Sequence, residues 1–296
     1  MADFQGIIVI HKEKGFTSHD VVAKLRGILH MKKIGHTGTL DPDATGVLPV
    51  ALGKGTKLVD LLTDKEKTYE AVLHLGIDTD TQDMSGTVLE ERPVNVTEEE
   101  VRKVLKSFVG EQLQVPPMYS ALKVNGKKLY ELAREGKTVE RKARPVCFYE
   151  IEPLEFHLPL VKIRVTCSKG TYIRTLCHDI GEKLGCGGCM EELLRSRVGR
   201  YSLFESHTLA QVEAAVADGT VQDMIDPVEA VLAEYPALYA DSYGDRLLAN
   251  GNPLSDNLVR PQHKEGWVRM YASDGTFTGI FQWDAGKKKY YPVKIF

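Results

Sequence analysis

The sequence predicts an α+β fold. Stretches of helical and strand periodicity are mixed along the chain without the regular strand–helix–strand alternation of a parallel sheet. Residues 18–30 carry Val21, Val22, Leu25, Ile28 and Leu29 at helical spacing, whereas Tyr69, Ala71, Leu73 and Leu75 alternate as on one face of a strand. Beyond residue 230, glycines punctuate short apolar runs in the rhythm of a small β barrel.

The elements follow in order. Ile7–Ile10 reads as a first strand. Ser18 is placed to cap the helix that follows. A glycine-rich loop spans 35–46, and an apolar stretch runs from Val47 to Leu52. Gly53-Lys54-Gly55-Thr56-Lys57 has a phosphate-cradle look but lacks the spacing of a P-loop, so no nucleotide site is assigned. Leu58–Leu62 starts a helix, Tyr69–Leu75 is a strand, and Asp78–Gly86 a polar loop. Thr97 with Glu100 forms a capping-box pattern before the stripe Val101, Val104, Leu105 and Phe108. Pro116-Pro117 forces extension. Helices are expected over 128–135, 175–184 and 190–194, with strands over 146–156 and 161–167.

A chain of 296 residues holds one large and one small domain. No apolar run approaches the roughly 20 residues that span a bilayer, and the N-terminus lacks a secretory layout, so a cytoplasmic protein is expected. Five cysteines, an odd number, argue against a disulfide framework. Cys186 and Cys189 have a metal-site spacing but no second pair, and no metal is assigned. The net charge of −3 conceals an uneven distribution: residues 123–144 hold eight Lys and Arg against three Glu, whereas 205–256 hold ten acids and Arg246 alone as a base. Such a chain can present a phosphate-binding face despite its total.

The most informative stretch is Gly35-His36-Thr37-Gly38-Thr39-Leu40-Asp41-Pro42-Asp43-Ala44-Thr45-Gly46. Its glycines permit close backbone approaches, and Pro42 restricts Asp41. The loop should be stiff and present one carboxylate, either as a nucleophile or stabiliser or merely as the cap of a turn.

This loop closely resembles the catalytic loop of the TruB family of tRNA pseudouridine synthases. Four further segments resemble the same family in the same order: Gly15-Phe16-Thr17-Ser18-His19-Asp20-Val21-Val22, Lys67-Thr68-Tyr69-Glu70-Ala71, Pro116-Pro117-Met118-Tyr119-Ser120-Ala121-Leu122-Lys123 and Ser168-Lys169-Gly170-Thr171-Tyr172-Ile173-Arg174-Thr175-Leu176. The likeness runs from about residue 6 to about residue 204. It implies a mixed, mainly antiparallel sheet flanked by helices over 1–230, with an RNA-binding insertion at about 110–145. A small PUA-type RNA-binding barrel is implied over 231–296.

The resemblance also implies a reaction: cofactor-free isomerisation of the T-loop uridine, position 55, in a flipped-out state. Asp41 matches the essential carboxylate. Arg174 matches the arginine that pairs with it, expected to bind it bidentately and to lower its pKa. Tyr69 matches the tyrosine that stacks on the uracil and is placed to remove the C5 proton. Tyr172, on one strand face with Arg174 if both are extended, packs beneath the base, and Leu193 lines the pocket. His36 matches a histidine that fills the gap left by the extruded base. Lys123 and Tyr119 contact RNA backbone or shape the pocket floor. Asp43 is expected to point to solvent. The expected partner is the tRNA T-arm, with no membrane, no obligate protein partner and a monomeric state. A non-catalytic RNA-folding protein, or the same chemistry on another RNA, is the alternative.

Overall fold

The computed structural model describes residues 4–124 and 126–296. Its main sheet has ten strands. They include β1 (Gly6–Lys12), β2 (Ile34–His36), β3 (Thr45–Leu52), β4 (Lys67–Leu75), β5 (Gly110–Gln114), β6 (Arg144–His157), β7 (Leu160–Cys167), β8 (Gly188–Val198) and β9 (Ile225–Asp226). The order is β9-β1-β3-β8-β4-β7-β6-β5, with β2 on β3 and Tyr201–Ser202 on β8. All neighbours are antiparallel except β3 and β8, which meet in parallel through two pairs, Leu194–Thr45 and Arg195–Gly46. The mixed, mainly antiparallel α+β architecture is the one expected.

Helices that flank or follow the sheet include α1 (Ser18–Ile28), α2 (Glu98–Ser107), α3 (Leu129–Arg134), α4 (Ile173–Leu184) and α5 (Leu209–Asp218). One apolar cluster joins the Tyr69-Ala71-Leu73-Leu75 face of β4 to Val161, Ile163 and Val165 of β7, beneath α2 and α4. A second packs α1 and α5 on Ile8, Ile10, Leu48 and Val50. The opposite side of β1, Ile7 and Val9, packs in a third cluster with Ile280 of the C-terminal region.

That C-terminal region is a six-stranded sheet of β10 (Ala237–Ala240), β11 (Leu254–Ser255), β12 (Val259–Arg260), β13 (Trp267–Tyr271), β14 (Phe277–Asp284) and β15 (Lys289–Ile295), in the order β11-β15-β14-β13-β10-β12. Its barrel-like form is consistent with a PUA-like domain. In the basic stretch, Lys123–Val124 pairs antiparallel with Lys127–Lys128 ahead of α3, and Leu129 and Leu132 of α3 pack with Met118.

Three local expectations are corrected. Thr17, not Ser18, caps α1, in a capping box with Asp20; the Ser18 hydroxyl is buried and turned to the glycine-rich loop. Residues 190–194 are strand, not helix. Their helix-favouring Met, Glu and Leu side chains are overridden by pairing with β4 on one side and β3 on the other. Finally, α4 begins at Ile173, so Arg174 lies in a first helical turn and Tyr172 is its N-cap; the two do not share a strand face.

Candidate active site

The glycine-rich loop joins β2 to β3 and is held from beneath at successive carbonyls and amides. The Ser18 hydroxyl accepts from the Leu40 N–H at 2.8 Å. The buried Lys12 ammonium donates to the carbonyls of Pro42, Phe16 and Glu13 at 2.9, 2.6 and 3.0 Å. Arg195 donates to Val47, Thr39 and Gly38 at 2.7, 3.4 and 3.3 Å. Leu40 and Ala44 are buried in the apolar cluster on either side of Asp41. Gly46 (φ +106°) closes the loop where a Cβ would strike the Arg195 carbonyl. So many fixed backbone points leave one orientation for the carboxylate.

Asp41 keeps 39% side-chain exposure, whereas its partner Arg174 keeps 7%. The two are not bidentate. Arg174 Nη2 lies 3.2 Å from Asp41 Oδ1 and donates to the Tyr119 carbonyl at 2.8 Å. Nη1 turns instead to Asp83 Oδ2 at 3.3 Å. The guanidinium therefore spans two carboxylates. Asp83 is itself tied down: Oδ1 accepts from Thr81 Oγ1 at 2.8 Å, from the Ser85 N–H at 3.1 Å and from Ser85 Oγ at 2.5 Å. Its turn is pinned to β8 by the Met84 N–H on Met190 O and to α4 by Thr175 Oγ1 on Gln82.

This arrangement reverses the expected pKa direction. Burial raises the Asp41 pKa above the usual carboxylate value, and Arg174 lowers it without cancelling that effect; Asp83 pushes it up further. Asp43 is exposed, as expected, and contributes least of these groups.

Tyr69 is buried on β4 and stands opposite Arg195 of β8 in register. Burial raises its phenol pKa and Arg195 opposes the rise. Tyr172 is half-buried, and its backbone exchanges two hydrogen bonds with the Gln114 amide, 2.9 and 3.0 Å. That clamp sets the start of α4 and hence the reach of Arg174. Leu193, half-buried, packs against the cluster holding Tyr69 and Leu40. His36 ends β2, and its Nδ1 accepts from the Gly38 N–H at 3.3 Å. Burial, then Arg195, lowers its pKa, which keeps the ring neutral at pH 7.

The structure thus joins Asp41, Arg174 and the Tyr119 carbonyl by hydrogen bonds, sets Tyr69 and Tyr172 within electrostatic reach of Asp41, and packs Leu193 on the apolar cluster that holds Leu40 and Tyr69, with His36 at the edge of the loop. Lys123 stands apart, exposed on its hairpin. Sequence reasoning passed over Asp83 and Arg195. Asp83 sat in what read as a polar turn, and its pairing with a residue 91 positions away leaves no spacing signal. Arg195 directly follows the segment read as helix, 190–194, and its partners lie about 150 positions away in the chain.

The geometry makes a buried arginine, a half-exposed carboxylate and a tyrosine converge on a surface loop. The description "TruB family pseudouridylate synthase (N terminal domain)" matches residues 26–173, and "tRNA pseudouridylate synthase B C-terminal domain" matches 174–233. The chain belongs to the TruB family. It is 52% identical to the tRNA pseudouridine synthase B of Lachnoclostridium phytofermentans, over 98% of this chain and 99% of that one. It is 48% identical to the protein of the same name from Bacillus pumilus, over 93% of this chain and 92% of that one. Among solved structures it superposes on a Cbf5-Nop10-Gar1 complex with TM-score 0.74 at 29% identity, covering 98% of this chain and 84% of that chain. An H/ACA RNP bound to a substrate RNA containing 2'-deoxyuridine gives TM-score 0.73 at 27% identity, over 98% and 84%. A TruB-family chain is an RNA isomerase, so the enzyme reading holds. No helix among the described residues is long and apolar enough to cross a membrane.

Proposed function

We propose that this TruB-family chain isomerises the T-loop uridine of tRNA, position 55, to pseudouridine, with Asp41 as the essential carboxylate. The observation that supports it is the Arg174 guanidinium held between Asp41 and Asp83 at 3.2 and 3.3 Å, beneath a loop fixed at its carbonyls. Such a site spends no reorganisation at the moment of reaction.

The uridine leaves its stack to reach Asp41. The N1–C1′ bond breaks, the uracil turns, and C5 joins C1′. Asp41 either adds to the sugar or stabilises positive charge at C1′ while taking the C2′ proton. Its raised pKa suits the second task, since a base works best when its pKa approaches the working pH. Arg174 fixes its direction, and Tyr69 offers a ring to the base and an oxygen to the C5 proton. Tyr172 and Leu193 line the pocket, and Tyr119 closes its floor through the carbonyl that Arg174 holds. His36, a neutral ring at the loop edge, fills the vacated stack. Lys123 meets phosphate from the exposed hairpin.

In this reading residues 1–230 are the catalytic domain, 110–145 an RNA-binding insertion and 231–296 a PUA-like module. The enzyme works in the cytoplasm as a monomer and needs no cofactor. The test is a pseudouridine assay on an isolated T-arm stem-loop, wild type beside Asp41→Asn. Product from wild type alone is expected, with at least about 10⁴-fold less from the variant. Equal product from the variant overturns the role of Asp41; tight binding without product from either points to another RNA or to a folding role.

A further inference from the structure

Arg195 is the bulkiest fully buried side chain among the described residues, at 1% exposure. Buried arginines ordinarily carry an acid partner. This one is satisfied by the carbonyls of Gly38, Thr39 and Val47, and its cross-strand neighbour is Tyr69. Carbonyl dipoles hold a guanidinium without neutralising it. Tyr69 is the titratable side chain that favours the charged form of Arg195, and the two residues face each other directly across β4 and β8. The carbonyls of Gly38 and Thr39 belong to the loop that carries Asp41. One arginine therefore holds the carboxylate loop through its guanidinium and pairs across the sheet with the tyrosine.

We propose that Arg195 is a positioning residue for proton transfer: it fixes the Asp41 loop against Tyr69 and supplies the positive charge against which the Tyr69 oxygen accepts the C5 proton. The proposal rests on the isomerase reading above. Once C5 is joined to C1′, the C5–H bond breaks. Its electron pair restores the C5=C6 double bond, and the proton passes to the Tyr69 phenolate and on to solvent. N1, freed from the sugar, gains a proton, so the product is an isomer. The phenolate is the form that neutralises Arg195.

Burial raises the Tyr69 pKa, and the positive charge of Arg195 is the main influence against that rise. Lys67 on β4, Lys12 on β1 and His36 on β2 each feel Arg195 as a repelling cation. A negative charge on Tyr69 relieves all three. Cys167 on β7 and Asp41 act in the opposite sense on the tyrosine, as does burial.

The experiment is the pH–rate profile of single-turnover pseudouridine formation on the T-arm stem-loop at saturating RNA. Wild type, Arg195→Lys, Tyr69→Phe and the double variant are compared. Arg195→Lys is expected to bind RNA as wild type does, to lose about 10–100-fold in rate, and to show its rising limb at higher pH. In the Tyr69→Phe background the same change should cost little more. Independent, multiplying losses, or a rate loss with the limb unmoved, would overturn the proposal and leave the isomerase reading intact. Wild type without product overturns both. Should Arg195→Lys not fold, an isosteric fluorotyrosine of lower phenol pKa at position 69 is expected to move the limb to lower pH; a limb that stays in place overturns the proposal.

Discussion

Arg174 reaches Asp41 with one nitrogen and Asp83 with the other, at 3.2 and 3.3 Å. The Asp41 carboxylate thus has a second carboxylate as an electrostatic neighbour through one guanidinium. Asp83→Asn keeps a hydrogen-bond acceptor for Arg174 and removes the charge. Losing that negative neighbour lowers the Asp41 pKa, so the lower of the two inflections on the acid limb of the pH–rate profile, the one set by Asp41, should move to lower pH while the one set by Tyr69 stays. The rate should fall by about 10²-fold through loosened aim of Arg174. A lower inflection that does not move would remove Asp83 from the electrostatics of the site.

The stability of the fold should carry the cost of the site. The Asp41 carboxyl has a folded pKa raised above 3.8, so the folded chain binds more protons than the unfolded chain in the window above that value. Stability therefore decreases as pH rises through that window. Asp41→Asn lacks this dependence, and at pH 7 it should unfold at the same temperature as wild type or higher. Calorimetry showing a lower melting temperature for the variant would contradict the burial argument.

Ser18→Ala should loosen the loop without touching the RNA. The Leu40 N–H loses its acceptor in a buried place, which costs about 1–3 kcal/mol in denaturant unfolding. The single-turnover rate should fall by about tenfold, with RNA affinity unchanged. An unaltered rate would mean that Lys12 and Arg195 suffice to hold Asp41.

His36 offers a neutral ring. His36→Phe should keep RNA affinity close to that of wild type, whereas His36→Ala should weaken it by about tenfold, the loss of one stacked base contact. Equal weakening in both would assign His36 a hydrogen-bonding role instead.

Lys123 stands exposed on the hairpin, away from the carboxylates. Lys123→Ala should weaken binding and reduce the slope of log affinity against log salt by about one unit. An unchanged slope would place the phosphate contact elsewhere in the basic stretch 123–144, where Glu135 already pairs with Lys127 and Lys137.

Local elements with strong periodicity were legible in the residues alone. The alternating face of β4 with Tyr69, the capping box of α2 and the stiff loop presenting Asp41 were all readable, because their causes lie within a few residues. Partnerships across the fold were not. Met190–Leu194 reads as helix from its side chains, yet it lies between two strands, and a register shift between Met190 and Glu192 hides the alternation of a strand. Arg174 was legible as a partner of Asp41 through resemblance; its sharing with Asp83 was not, since that contact depends on how a turn of β8's neighbour meets α4. Arg195 owes its place beneath the loop to the parallel meeting of β3 and β8. These relationships arise only in the folded packing, because burial and charge pairing join residues from separate elements, and their energy has no trace in the spacing of either.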